Sequence, residues 1–139
     1  VVRVLLGTHA LIWIVTGEKI ERRARAAIEA AAKANGVLVS PVSGWEIGLL
    51  ATRTGASRLM FTMAPDEWMR QAMSLPGIAV LPLEPVVAAQ ASLLPEPFHT
   101  APADRLLVAQ ARAADVSLIT RDRRMLDYAD SGHMRAITC

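Results

Sequence analysis

The sequence predicts an α/β fold, helices packed on a parallel sheet, and three observations predict it. Short apolar runs recur along the chain with helical stretches between them. The first run, Val1–Leu6, is almost unbroken, as in a central strand buried on both faces. The chain has 139 residues, 53% of them apolar, enough for one domain around one real core.

In chain order, Gly7 ends the first strand, and Thr8 or a neighbour caps a helix over Ala10–Val15 that Gly17 closes. Glu18–Asn35 reads as a long amphipathic helix with a stripe of Ile20, Ala24, Ala27, Ile28 and Ala31, and Gly36 as its C-cap. Val37–Val39 is a second strand. Ser40 as N-cap and Pro41 at the first helical position open a helix reaching towards Gly55. Residues 56–64 show no period and are expected to form a loop or helix hairpin over the site.

Pro65–Met73 is a helix opened by Pro-Asp-Glu, Ile78–Leu81 a third strand, and Pro82–Leu94 a helical stretch closed by Pro95-Glu-Pro97. Pro102 opens a helix on which Asp104, Leu107, Val108 and Ala111 share a face. Val116–Ile119 follows as a buried strand, then a short helix Arg123–Tyr128 and a last edge strand at Ala136–Ile137. The sequence contains no internal repeat, low-complexity tract or linker.

Composition narrows the function classes. Thirteen of the fifteen basic residues are Arg, against a net charge of only +2, which leaves room for a modest phosphate-binding surface. No apolar run approaches the ~20 residues needed to span a bilayer. The hydrophobic start carries Gly7, Thr8 and His9 in its middle and lacks a basic leader, so it reads as a strand entering a helix, not a signal peptide. A single Cys excludes an internal disulfide framework and a Cys-rich zinc site. A cytoplasmic location is expected. The apolar surplus points to association with a second copy or a partner.

The acids carry the chemistry. Asp104 interrupts an apolar helix face, and Asp122 lies just past the carboxyl end of a strand. Ligands of open parallel sheets bind at that edge, where strand order reverses. Glu46, three and four residues before Leu49 and Leu50, also projects from an apolar face on that side. Acids converging in a semi-buried cleft repel each other and their pKa values rise, unless a divalent cation offsets the charge. All-oxygen ligation favours Mg²⁺ or Mn²⁺. Two such ions about 3.5–4 Å apart can activate a water and steady the leaving oxygen of a phosphodiester. The bland alternative for Asp104 and Asp122 is an N-cap or a surface acid. Asp127 reads as a surface residue.

The segments LLGTHALIW, SPVSGWEIGLL, HTAPADRLLVAQA and LITRDRRMLDY, in this order and spacing, resemble the motifs of PIN-domain ribonucleases. Within that family they are similar to the VapC-type toxins of type II toxin–antitoxin systems, whose patterns read roughly LLDTHALLW, SxxSxWEI, HxDPFDRLLxAQA and LxTxD. The resemblance covers nearly the whole chain. It implies a three-layer α/β/α PIN-like domain around a mostly parallel sheet of about five strands, and a homodimer. It also implies a Mg²⁺- or Mn²⁺-dependent endoribonuclease with a two-metal, water-attack mechanism, and a small VapB-type antitoxin that masks the acidic cleft.

Carried residue by residue, the resemblance makes Glu46, Asp104 and Asp122 the catalytic metal ligands and Thr8, Thr120, Arg105 and Arg121 their support. The two arginines either pair with the acids, the preferred role, or contact substrate phosphate. Gly7 stands where the family has a fourth acid, and Ala101 replaces a second common Asp. Reduced or lost cleavage is therefore expected, the alternative being a catalytically silent module that binds RNA, an antitoxin or both. A phosphatase fits less well, because no Asp nucleophile follows the first strand. His9 and His99 receive no catalytic role, although His99 is within reach of RNA. Trp13, Trp45, Trp68 and the Met residues are expected in core or interface, and Cys139 is an incidental thiol.

Overall fold

The computed structural model describes residues 2–52, 63–99 and 101–139. The loop or hairpin expected over 56–64 lies almost wholly outside them. Among the described residues the order is β1 (Val4–Leu6), α1 (Thr8–Thr16), α2 (Arg22–Ala32), β2 (Val37–Val39), α3 (Pro41–Thr52), α4 (Pro65–Met73) and β3 (Ile78–Val80). Then come α5 (Pro85–Gln90) with a 3₁₀ turn at Ala91–Leu93, α6 (Pro102–Ala114), β4 (Ser117–Thr120), α7 (Arg123–Asp130) and β5 (Ala136–Thr138).

The strands form one parallel sheet in the order β3-β2-β1-β4-β5. β1 is its centre, with Leu5 opposite Leu38 on one side and Leu118 on the other. Successive residues of a strand face opposite sides. Val4, Leu6, Val37 and Val39 therefore pack with Leu11, Ile12, Ala24, Ala31 and Trp68, in the layer of α1, α2 and α4. Leu5, Leu38 and Leu118 pack with Leu107, Val108, Ala111 and Met125, in the layer of α6 and α7. That is the three-layer α/β/α arrangement, and it explains the unbroken apolar run of β1. Each fully buried leucine contributes about 1.5–3 kcal/mol.

Where elements differ from expectation, tertiary contacts decide. The helix expected over Glu18–Asn35 contracts to Arg22–Ala32. Asn35, not Gly36, takes the left-handed turn (φ 52°). Gly36 is required for another reason: a Cβ there would stand 2.5 Å from the Val2 carbonyl oxygen. Thr8 does not cap α1, whose N-cap is Gly7 without a side-chain bond; its hydroxyl is used in the cleft described below. The stretch expected as helix from Pro82 becomes helical only at Pro85. Leu81 N–H instead donates to the Val39 carbonyl, extending the ladder. Ser40 behaves as expected, its hydroxyl accepting from Val42 N–H at 3.0 Å.

One buried polar side chain ties the layers together. Gln110, 2% exposed on α6, accepts from the Ser40 hydroxyl and donates to the carbonyls of Leu81 (3.0 Å) and Pro82 (3.3 Å). It joins the carboxyl ends of β2 and β3 to the helix that carries Asp104. Gln110→Met keeps the volume but strands those partners, so chemical denaturation should show a loss of about 1–2 kcal/mol. Among the described residues no helix is long and apolar enough to cross a membrane.

Candidate functional site

Strand order reverses between β1 and β4, and a cleft of about 430 Å³ opens beyond their carboxyl ends. Gly7 follows β1 and Asp122 follows β4. α3 and α6 run back antiparallel to the strands they adjoin, so their first turns lie at that same edge. This topology brings Glu46, Asp104 and Asp122 to line one cleft, together with Thr8, Thr120 and Arg121.

Each acid is held differently. Glu46 accepts a hydrogen bond from the Thr8 hydroxyl, and Thr8 Oγ1 lies 3.0 Å from Ser43 Oγ. With the Thr8 proton committed to the carboxylate, Ser43 donates to Thr8. Ser43 is one turn before Glu46 on α3, a spacing of three that places both on one face. Ser43 had two signals in the sequence, its place in the SxxSxWEI pattern and that spacing from Glu46.

Asp122 is both a cap and a candidate ligand. Its Oδ1 accepts from the N–H groups of Arg124 (2.8 Å) and Met125 (3.3 Å), capping α7. Among the described residues, Oδ2 faces Arg124, at 3.8 Å. The Thr120 hydroxyl accepts from Asp122 N–H at 3.1 Å and so fixes the turn that presents this carboxylate.

Asp104 is the perturbed member. Burial, then the charges of Asp122 and Glu46, raise its pKa from 3.8 to about 6, against a smaller opposing effect of Arg124. Its Oδ2 lies 3.2 Å from His99 Nε2, but the pair is not aligned as a hydrogen bond, and that buried nitrogen has no partner among the described residues. His99 Nδ1 accepts from Ala101 N–H at 3.4 Å. Burial first, then Arg124, lower the His99 pKa against the opposing charge of Asp122; with Nδ1 accepting, the neutral form carries its proton on Nε2, beside the acid.

The two arginines do not pair with the acids beside them. Arg105 turns away from Asp104 into the preceding loop, donating to the carbonyls of Ala91 (2.8 Å) and His99 (3.2 Å) and approaching Glu96 at 3.7 Å. Sequence neighbourhood misleads here because adjacent helix positions project to different sides. Arg121 stacks on Trp13, 3.8 Å from the ring centroid, and its Nε donates to the Cys139 carbonyl at 2.8 Å. Among the described residues, no Asp or Glu side chain forms an ion pair with it. Arg124, which nothing in the sequence singled out, is the cation near Asp122.

The acids share a cleft without forming a closed cage. Among the described residues, no three His, Cys, Asp or Glu side chains stand close enough to hold one ion between them. Gly7, at the expected fourth position, offers only its carbonyl. Oxygen-only donors and a carboxylate raised by burial and by its neighbours' charge fit a hard divalent cation held by one or two carboxylates and otherwise by water. They do not fit a cation enclosed by protein.

Comparisons with known proteins agree with this architecture. The PIN domain family matches residues 4–131. The chain is 30% identical over 135 residues to Ribonuclease VapC22 of Mycobacterium tuberculosis, covering 97% of this chain and 96% of that protein. Its fold is similar to that in VapBC2 from Rickettsia felis bound to a promoter DNA fragment (TM-score 0.67, 12% identity, 97% of each chain). It is also similar to DNA-bound VapBC from Salmonella typhimurium (TM-score 0.66, 13% identity, 99% of this chain and 98% of that one). The family match over most of the chain, the near full-length relative and the switch-point cleft together show that the chain belongs to the PIN-domain family, on its VapC-type branch.

Proposed function

We propose that this chain is built to cleave RNA phosphodiesters with Mg²⁺ or Mn²⁺ in the acid cleft, and that Gly7 leaves it with little of that activity. One observation carries the reading: Glu46, Asp104 and Asp122 line a single cleft, where burial first and then the charges of Asp122 and Glu46 raise Asp104 to about 6. A divalent cation bound there supplies positive charge for the scissile phosphate and makes an attacking water more acidic. The residues do the rest. Thr8 orients the Glu46 carboxylate, the α7 cap orients that of Asp122, and Asp104 waits partly desolvated between them.

Arg121, without an Asp or Glu partner among the described residues and braced on Trp13, offers the free end of its fork to a substrate phosphate at the lip of the cleft. Arg121→Gln should weaken single-stranded RNA binding about fivefold and reduce the slope of log affinity against log salt by about 0.7. A salt titration by fluorescence anisotropy reads both.

A small VapB-type antitoxin is the proposed protein partner, since the similar solved structures are VapBC assemblies. The surface beside Glu46 suits one, with Trp45 57% and Leu49 40% exposed one turn apart on α3. The homodimer is supported by exposed Val86 and Leu93 around α5, apolar residues that a second copy would cover.

The decisive experiment is cleavage of end-labelled RNA. The Gly7→Asp protein should make internal cuts that need Mn²⁺, stop with EDTA and vanish in the Gly7→Asp/Asp104→Asn double variant. Cutting that survives EDTA or the second substitution removes the reading. The missing acid and the open ligand arrangement favour a second reading for the chain as it stands, a silent module that binds RNA or antitoxin without cleaving. Binding of RNA by the parent, with no cleavage even at high Mn²⁺, is its signature.

A further inference from the structure

A second depression, about 510 Å³, lies next to the acid cleft and has no part in the chemistry described so far. Phe98, Tyr128 and His133 line it, with His99 and Arg124. The rings form a continuous series: His99 to Phe98 4.4 Å between centroids, Phe98 to Tyr128 4.4 Å, and Tyr128 to His133 4.7 Å, tilted by 37–54°. Tyr128 is buried and its hydroxyl donates to the Pro95 carbonyl at 2.7 Å, while Phe98, His99 and His133 stay partly exposed.

The rings are set in advance by two arginines behind them. Arg105 bonds the carbonyls of Phe98 and His99, and Arg112 bonds that of His133. Two residues connect the depression to the cleft. His99 reaches Asp104 at 3.2 Å and Arg124 reaches Asp122 at 3.8 Å, and both line the depression. The acid in its wall, Asp127, is matched by Arg123 at 3.7 Å.

The geometry points to a nucleobase subsite: one base of a single-stranded RNA, next to the phosphate in the acid cleft, stacks on Phe98 and His133 while Arg124 meets its phosphate. The inference rests on the RNA-cleavage reading and deepens it. Single-stranded RNA is read by stacking splayed bases on aromatic and imidazole rings and by hydrogen bonds to their edges. Preset π faces, two imidazoles and a cation around a space of small-ligand size meet those needs. An apolar peptide side chain would leave both imidazoles and the guanidinium unused.

The test uses the parent protein, with Ca²⁺ in place of Mg²⁺ or Mn²⁺ to hold the phosphate without cleavage, and a five-nucleotide single-stranded RNA carrying 2-aminopurine at each position in turn. Stacking should quench the fluorescence at one position only. Phe98→Leu and His133→Ala should each abolish that quench and weaken affinity about tenfold. Arg121→Gln should weaken affinity and leave the quench. Thermal melting of each variant confirms that it folds. Quenching spread evenly over all positions overturns the subsite, as does RNA affinity unchanged in both ring variants; either leaves the RNA reading standing. Ring variants that bind RNA normally but fail to retain a co-expressed antitoxin give the depression to protein and overturn it too. If neither the parent nor Gly7→Asp binds RNA, the broader reading falls first and the subsite with it.

Discussion

Gly7→Asp is expected to raise Mn²⁺-dependent RNA cleavage about a hundredfold, equivalent to about 2.7 kcal/mol off the barrier. The backbone at Gly7 (φ −65°, ψ 161°) is extended and open to any L-residue, so the substitution meets no dihedral strain. Space is tighter. A Cβ there would lie 2.9 Å from the Ile119 carbonyl oxygen, the atom that accepts the Gly7 N–H bond. β1 and β4 must part by a few tenths of an ångström, at a cost of about 1 kcal/mol. The new carboxylate also repels Asp104 and Asp122 until a cation joins them.

The metal-free variant should therefore melt below the parent, and Mn²⁺ should raise its melting temperature by more than it raises the parent's, because the ion binds only the folded site. Gly7→Ala is the control, introducing the same Cβ without the oxygens. It should lose the stability and gain neither ion response nor cleavage. An aspartate variant that behaves like the alanine one would remove Gly7 from the site.

Local chemistry made much of this molecule readable in advance. The unbroken β1 run announced a strand buried on both faces, and Ser40-Pro41 announced where α3 starts. Asp104 betrayed itself as the one acid of α6, set on its apolar face. These signals lie within a few residues of the feature they predict. What escaped depends on parts of the chain far apart in sequence. Arg105 serves carbonyls at Ala91 and His99, which no spacing reveals. The left-handed turn falls at Asn35, while Gly36 is needed where the Val2 carbonyl approaches from a distant segment. The ring series joins Phe98 to Tyr128 and His133 across two segments with no common period. The candidate acids show the same division. Each stands out singly in the sequence, whereas their arrangement around one cleft, with no three-ligand cage among the described residues, needed the packed fold.

Asp104→Asn should make the metal-free protein more stable at neutral pH while abolishing its response to divalent ions. In the folded chain the Asp104 pKa is about 6; unfolded it returns to about 3.9. Between those values the folded state binds more protons than the unfolded one, so stability falls as pH rises. The penalty is absent below pH ~4 and complete above pH ~6–7. At about 1.4 kcal/mol per pH unit it approaches 3 kcal/mol, and partial exposure of the side chain reduces it to about 2.

An amide of the same shape carries no such penalty. At pH 7.5 the variant should gain about 2 kcal/mol, or roughly 6–8 °C in melting temperature, and at pH 4 the two proteins should coincide. Mn²⁺ should then raise the melting temperature of the parent and leave that of the variant unchanged. Equal stability of the two at pH 7.5 would mean that burial and the neighbouring acids do not penalise the Asp104 charge. An equal ion response would mean that the cation sits elsewhere. An acid kept where it destabilises the empty fold, and relieved only by a cation, is what a site selected for chemistry over stability looks like.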